Sequence, residues 1–591
     1  MRLGTQYNSR NKGCHFRVWA PKCHSVSLCI KGVHQEEIPM APENRGYFSA
    51  HLEGIQPDCK YLYKLNNTLL RPDPVSMSQP DGVHGASAVV DHSNYQWHDS
   101  TWKGLSLNQM VLYELHTGTF SNQGTFRGIL SRLNALKDLG INTIELMPVA
   151  QFPGKRNWGY DGVYPYAVQQ TYGGVNGLKA FVDVCHQKGL AVILDVVYNH
   201  LGPEGNYLND YGPYFTSKYK TPWGKAINYD DNASDEVRHY VIQNARYWLQ
   251  EFHIDGLRLD AVDTICDNSA YNILTELTDT LDTISTTTKI KRHLIAECDL
   301  NDTRMVQPIA QGGCGIHSQW SDDFHHALHT LLTHETFGYY QDYGRLEDFK
   351  KAYKEGFVYT GNYSPFRGHS YGSCSKKLPG QTFVVYTQNH DQVGNRPQGE
   401  RLASLVDFEA QKMAAAACLL SPYLPMLFMG EEYGETNPFL YFIHHGDERL
   451  AQAVKNGRIR EFKSSKVKGT PPDPRLESSF THSILDWSKR QKGQHKTLLH
   501  FYRFLITLRK SHPALGTDKQ NTQIHLLPEY SCFTLSRVTK QAGIYAFFNF
   551  SDDQQNIPFE SNLKLERILD SSDKRWKGPG AITPETMQGQ N

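Results

Sequence analysis

Eight short apolar runs, with stretches of helical periodicity between them, limit what this chain can fold into more than any other feature. The runs fall at residues 111–115, 143–147, 191–195, 256–260, 293–297, 315–319, 383–387 and 425–429. Helical patterns occupy 126–139, 178–188, 236–251, 268–281, 324–333 and 408–420. Thr125 and Ser234 stand where helix-starting caps belong, and Gly140 and Gly189 where helices close. Parallel strands need a crossover of a dozen or more residues, and a helix supplies one. Eight strand–helix units therefore predict a (β/α)8 TIM barrel, with its active site at the C-terminal strand ends. The run at 315–319 carries the weakest strand pattern of the eight.

Different patterns flank the barrel. Residues 1–95 hold short alternating runs, as at 15–20, 25–30 and 61–65, punctuated by Gly, Pro, Asn and Asp. Such spacing predicts an N-terminal β-sandwich. After a barrel region spanning 96–514, short strands return at 524–527, 532–536, 543–550 and 565–569, which predicts a small C-terminal β-sandwich over 515–591. Insertions at 201–232 and 434–494 interrupt the barrel. Loops beyond about 12–15 residues are usually lids, binding loops or disordered segments.

Composition excludes several classes of function. Lys plus Arg and Asp plus Glu both number 61, so no net charge points to nucleic acid or to an anionic membrane. No apolar run approaches the ~18 residues of a membrane span. The first eleven residues are polar, with no apolar leader, and the 11 cysteines form no CxxC pair; a reducing, cytoplasmic setting is expected. Aromatics make up 12% of the chain, which gives sugar rings surfaces to stack on as well as filling cores. No phosphate loop or dinucleotide fingerprint is present, and no cofactor is expected. Glu204 and Asp210 are too few and too loosely spaced for a calcium site with about 6–8 oxygen ligands, so no metal is expected.

The chemistry gathers where the strands end. The third run leads from Asp195 through Asn199 to His200. The fourth ends Arg258-Leu259-Asp260, whose alternation turns Arg258 and Asp260 to one side. A guanidinium beside a carboxylate favours the ionised form. The fifth ends at Glu297, and the seventh runs into Asn389-His390-Asp391. Any one of these could be a structural ion pair or a helix cap, but together they give one rim Asp, Arg–Asp, Glu and His–Asp. Paired carboxylates on adjacent strands suit glycoside hydrolysis, which needs one ionised and one protonated. Asp391 is expected to raise the Glu297 pKa by like-charge repulsion, or to bind sugar hydroxyls. His200 and His390 are expected to donate hydrogen bonds to hydroxyls at the cleaved bond.

Residues 195–200, 256–263, Glu297 and 389–391 resemble the four signature regions of the α-amylase superfamily of glycoside hydrolases. The resemblance implies a retaining mechanism on α-glucosidic bonds. Asp260 would be the nucleophile, Glu297 the general acid/base and Asp391 the transition-state stabiliser. Asp195, His200, Arg258 and His390 would support the substrate, and Tyr160, in Asn157-Trp158-Gly159-Tyr160-Asp161, resembles the sugar-stacking tyrosine. It also implies a carbohydrate-binding-like N-terminal module. Stretches 152–163, 294–302, 388–396, 359–368 and 457–462 are most similar to the branch of the superfamily that releases trehalose from malto-oligosyltrehalose. Glycogen-branching enzymes usually show His-Asp-Glu in the fourth region, whereas Gln392 follows Asp391 here. Cys298 and Asp263 stand where that branch often has Ser and His. The expected partner is therefore a malto-oligosyltrehalose or other α-glucan substrate. A branching or debranching enzyme, or a non-catalytic glucan-binding protein, are the competing readings.

Overall fold

The computed structural model describes residues 2–31, 36–464, 469–558 and 564–588. Eight parallel strands close into a barrel in chain order. They are β1 (Leu112–Leu115), β2 (Thr143–Leu146), β3 (Ala191–Val196), β4 (Gly256–Leu259), β5 (His293–Ala296), β6 (Ser318–Trp320), β7 (Phe383–Val385) and β8 (Leu424–Phe428). Closure is direct, with Leu112 of β1 paired to Met426 of β8. Every barrel-strand residue is buried, as expected for a parallel sheet covered by helices.

The weakest strand is the one that moved. β6 begins at Ser318, because Gly315 adopts a φ of +73° and its N–H is tied back to the Gln307 carbonyl. A left-handed residue bonded into a loop cannot start a parallel strand. The helix expected at 126–139 divides into Phe126–Leu130, capped by Thr125, and Leu133–Leu139, closed by Gly140 at a φ of +107°. Ser234 is the first residue of helix Ser234–Glu251 and does not cap it; Ala233 precedes it in the left-handed region, and Asp235 and Glu236 meet the positive end of the dipole. The pattern at 268–281 becomes helix Ile273–Thr288, capped by Asn272, because Asp267 is held by Arg238 at 2.6 Å ahead of it.

The N-terminal strands form two antiparallel sheets, with Phe16 and Tyr61 meeting edge to face between them at 5.1 Å. At the C-terminal end, a three-stranded sheet (Thr522–Leu527, Cys532–Val538, Gly543–Asn549) and a two-stranded one follow. Two buried arginines meet at one barrel helix end, Arg537 from the three-stranded sheet and Arg509 from helix Gly493–Ser511. Arg509 donates to the carbonyls of Leu419 and Ser421, and Arg537 to those of Leu420 and Ser421. These carbonyls end helix Phe408–Leu419, so two cations sit at the negative end of its dipole. The insertions clasp one another, since Glu204 of the first accepts from His445 Nδ1 and the Gly446 N–H of the second, each at 3.0 Å. No helix among the described residues is long and apolar enough to cross a membrane.

Candidate active site

Arg258 is the hub of the rim. It is fully buried, and its Nη1 donates to Asp195 Oδ2 at 2.6 Å and to Asp260 Oδ1 at 3.1 Å. Its Nη2 donates to Glu297 Oε2 at 2.6 Å, and the guanidinium lies 4.2 Å from the Trp320 ring centroid. One cation thus binds the ends of β3, β4 and β5 and rests on an aromatic face of β6. The Asp260 N–H bonds to Val196 and the Glu297 N–H to Leu259, so both residues continue the strand ladder past its regular end.

The two carboxyl groups are held differently. Asp260 receives Arg258 on Oδ1 and Asn199 Nδ2, at 2.8 Å, on Oδ2. Glu297 receives both of its donors on Oε2: Arg258, and the Ala261 N–H at 2.9 Å. That N–H is aimed by an unusual backbone, since Ala261 adopts a φ of +38°, a strained conformation for a residue with a Cβ. Burial pushes the Glu297 carboxyl above the usual range; Arg258 opposes the rise and Asp260 adds to it. Asp260, on the same guanidinium, is thus one carboxylate that raises Glu297, and the repulsion expected between Asp391 and Glu297 is present as well. Asp391 is itself raised, by burial first, with His390 opposing and Glu297 adding.

His390 and Asp391 open the short helix His390–Gly394, whose cap Asn389 accepts from the Gln392 N–H. His390 Nδ1 meets Glu114 Oε1 at 2.5 Å, and its own N–H meets Glu114 Oε2 at 2.9 Å. Its Nε2 faces the Tyr160 hydroxyl at 2.8 Å and Asp391 Oδ2 at 3.3 Å. Tyr160 donates to Asp195 at 2.6 Å and stacks on the His390 ring with centroids 5.2 Å apart. Burial pushes Asp195 up to about 7 against the pull of Arg258.

His200 sits on the same rim, but its ring is engaged within the protein. Nε2 faces the Tyr160 carbonyl at 3.0 Å and Nδ1 faces Asn199 Oδ1. Its ring stacks on Trp223 at 4.2 Å, and burial pushes it down to about 4. At that value the ring is neutral and carries a single N–H, for which the Tyr160 carbonyl and Asn199 Oδ1 are the two acceptors within the protein.

A cavity of about 280 Å³ opens beside the carboxylates, with Glu297, Asp322, Tyr339, Phe366, Arg367 and Asp391 in its wall. Arg367 clamps Asp299 with two bonds, at 2.7 and 3.0 Å, while its guanidinium lies 3.9 Å from the Tyr371 ring centroid. Asp263 accepts the Asp299 N–H at 3.4 Å and is pushed by burial to about 6. Cys298 is buried next to Glu297, with its thiol pushed up to about 12. Two contributors escaped sequence reasoning, Glu114 and Asp322, and Asn199, inside the 195–200 signature, was given no role by it. Asp322, after β6, accepts from Tyr386 at 2.5 Å and Gln392 at 3.1 Å, and burial takes it to about 7. The signal for Glu114 was available as an acid inside an apolar strand run.

No group of three or more His, Cys, Asp or Glu side chains among the described residues is arranged to hold a metal ion. Asp210 pairs with Arg71 at 2.6 Å, and Glu204 is spent on His445 and Gly446.

Residues 93–224 and 225–518 match the family model described as alpha amylase, catalytic domain, and residues 2–76 match carbohydrate-binding module 48, the isoamylase N-terminal domain. A malto-oligosyltrehalose trehalohydrolase from Saccharolobus solfataricus is 48% identical over 86% of this chain and 87% of its own length. One from a Rhizobium species is 43% identical over 85% of each. A crystal structure of a putative alpha amylase from Salmonella typhimurium superposes with a TM-score of 0.88 at 37% identity, covering 99% of this chain and 98% of the other. By its barrel, its rim of carboxylates and these relatives, the chain belongs to the malto-oligosyltrehalose trehalohydrolase family within the α-amylase superfamily.

Proposed function

We infer that this protein is a retaining glycosidase that hydrolyses the α-1,4-glucosidic bond next to the terminal trehalose of malto-oligosyltrehalose, releasing trehalose and a malto-oligosaccharide. The observation that carries the reading is the sharing of one buried guanidinium by Asp260 and Glu297. In retaining enzymes the two carboxyl groups stand about 5–5.5 Å apart, against about 6.5–9.5 Å in inverting ones, and a common cation draws them toward the shorter spacing.

In the first step an Asp260 oxygen attacks the anomeric carbon as Glu297 gives its proton to the departing trehalose oxygen. Oε2 of Glu297 is taken by two N–H donors, so Oε1 carries that proton. In the second step water attacks the glycosyl–Asp260 ester, Glu297 takes the water's proton, and the malto-oligosaccharide leaves with its α configuration restored. Asp391 lies across the cavity wall from Glu297 and stabilises the positive charge that develops on the sugar ring.

Because Glu297 stands in the cavity wall, the sugars housed there are those on the leaving-group side. The α,α-1,1 link bends trehalose away from the shape of maltose. Buried polar groups paired only by trehalose hydroxyls would reject plain maltodextrin. Residues 1–95, 96–514 and 515–591 serve as β-sandwich, catalytic barrel and C-terminal β unit. All 11 cysteines are free, which supports a cytoplasmic setting. Proton NMR during turnover is expected to show the new reducing end appearing first as the α anomer; initial β anomer would overturn the retaining assignment.

A further inference from the structure

We propose that Glu114 is a positioning residue for hydrolysis: it keeps both ring nitrogens of His390 protonated, so that Nε2–H stays aimed at Tyr160 and Asp391. The proposal rests on the glycosidase reading above and adds a residue to its machinery. Glu114 is 1% exposed, on a strand that is otherwise Leu and Tyr. A buried acid is costly unless donors meet its oxygens. Here both oxygens are spent on one residue, the His390 backbone N–H and Nδ1.

A neutral imidazole has a single N–H. It could serve Glu114 or the Tyr160–Asp391 side, but not both. Tyr160 already gives its own proton to Asp195, so its oxygen is an acceptor for Nε2. The geometry on the two sides of the ring therefore calls for two protons.

The charged and titratable groups around His390 agree with this. Asp391 adjoins it on its own helix; Glu114 and His116 face it from β1 and just beyond, Glu145 from β2, and Tyr160 from the loop after β2. Arg258 of β4 and Glu297 at the end of β5 complete the set. Trp158 and Trp320 add uncharged rings at 5.7 and 5.9 Å. Burial works against the imidazolium, but Asp391 and then Glu114 outweigh it, and the ring is carried up to about 10.

Glu145 supplies an internal comparison. It pairs in register with Glu114 across β1 and β2, yet neither of its oxygens has a hydrogen-bond partner. Burial and then the Glu114 charge push it well above the usual carboxylate range. Of two adjacent buried acids, one grips His390 and the other does not.

Glu114→Gln keeps the shape but cannot accept both donors. We expect the folded variant to lose about tenfold or more in kcat, as when a histidine loses the carboxylate that sets its protonation and orientation. Its KM should change far less. Removing the Glu114 charge should lower the pH at which the His390 ring gives up its second proton by about one unit or more, read by 15N NMR. Glu145→Gln should leave that pH in place. An unmoved His390 titration in folded Glu114→Gln, or an equal shift in Glu145→Gln, overturns the proposal. Should Glu114→Gln not fold, 15N NMR of the unaltered protein decides, with His390 assigned by its loss in His390→Gln. Two protonated ring nitrogens at pH 8 support the proposal, and a ring that loses its proton near 6.5 refutes it. That readout needs no turnover, so it separates failure of this proposal from failure of the glycosidase reading.

Discussion

Asp260→Ala is expected to abolish turnover, by at least about 10⁴-fold in kcat, while the protein stays folded. The loss is large because no other side chain can form the glycosyl ester. The fold survives because little depends on this carboxyl alone. Arg258 keeps Asp195 and Glu297, and Asn199 keeps the Asp260 backbone carbonyl at 3.0 Å. Removing one of three acids around a single guanidinium also relieves the repulsion that raises Glu297 and Asp195. Stability should therefore lie within about 1–2 kcal/mol of the parent in denaturant titration. Substantial residual hydrolysis by a folded variant would remove Asp260 from the nucleophile role.

Glu297→Gln should cost about 10²–10⁴-fold on the natural substrate, the usual worth of a positioned proton donor. The amide oxygen can still accept from Arg258 and Ala261, so the rim should keep its arrangement. What disappears is the proton on the other atom. An α-maltosyl substrate with fluoride or dinitrophenolate as leaving group needs no protonation, so its first step should recover in a burst. Hydrolysis of the ester should then lag, because no base remains to activate water. Equal impairment on activated and natural substrates would argue that Glu297 shapes the site without donating a proton.

How much of this was legible beforehand follows from where each signal lies. The barrel could be read because eight short apolar runs recur over three hundred residues, and strand-end acids could be read because Asp195, Asp260 and Glu297 close three of those runs. The sixth strand slipped because Gly315 bends back to Gln307, a loop bond that composition does not show. Glu114 could not be paired with His390, because the two lie 276 positions apart and only barrel closure brings β1 beside β8 and within reach of the turn after β7. The repulsion expected between Asp391 and Glu297 is present, while Asp260, on the same guanidinium, also adds to the rise of Glu297. His200 reads as a donor in the sequence; the fold sets its nitrogens against Asn199 Oδ1 and the Tyr160 carbonyl. For Glu114 and the acids around Arg258 the missing information was a long-range contact, and for Gly315 it was local loop geometry.

The most direct test of the central claim is product analysis on two substrates. The protein is incubated separately with maltotriosyl-trehalose and with maltopentaose, and the sugars are resolved. Trehalose and maltotriose from the first, with little cleavage of the second, is the predicted result. Comparable cleavage of both, or new branches on a longer glucan, would contradict it and make the protein a sister activity on the same barrel.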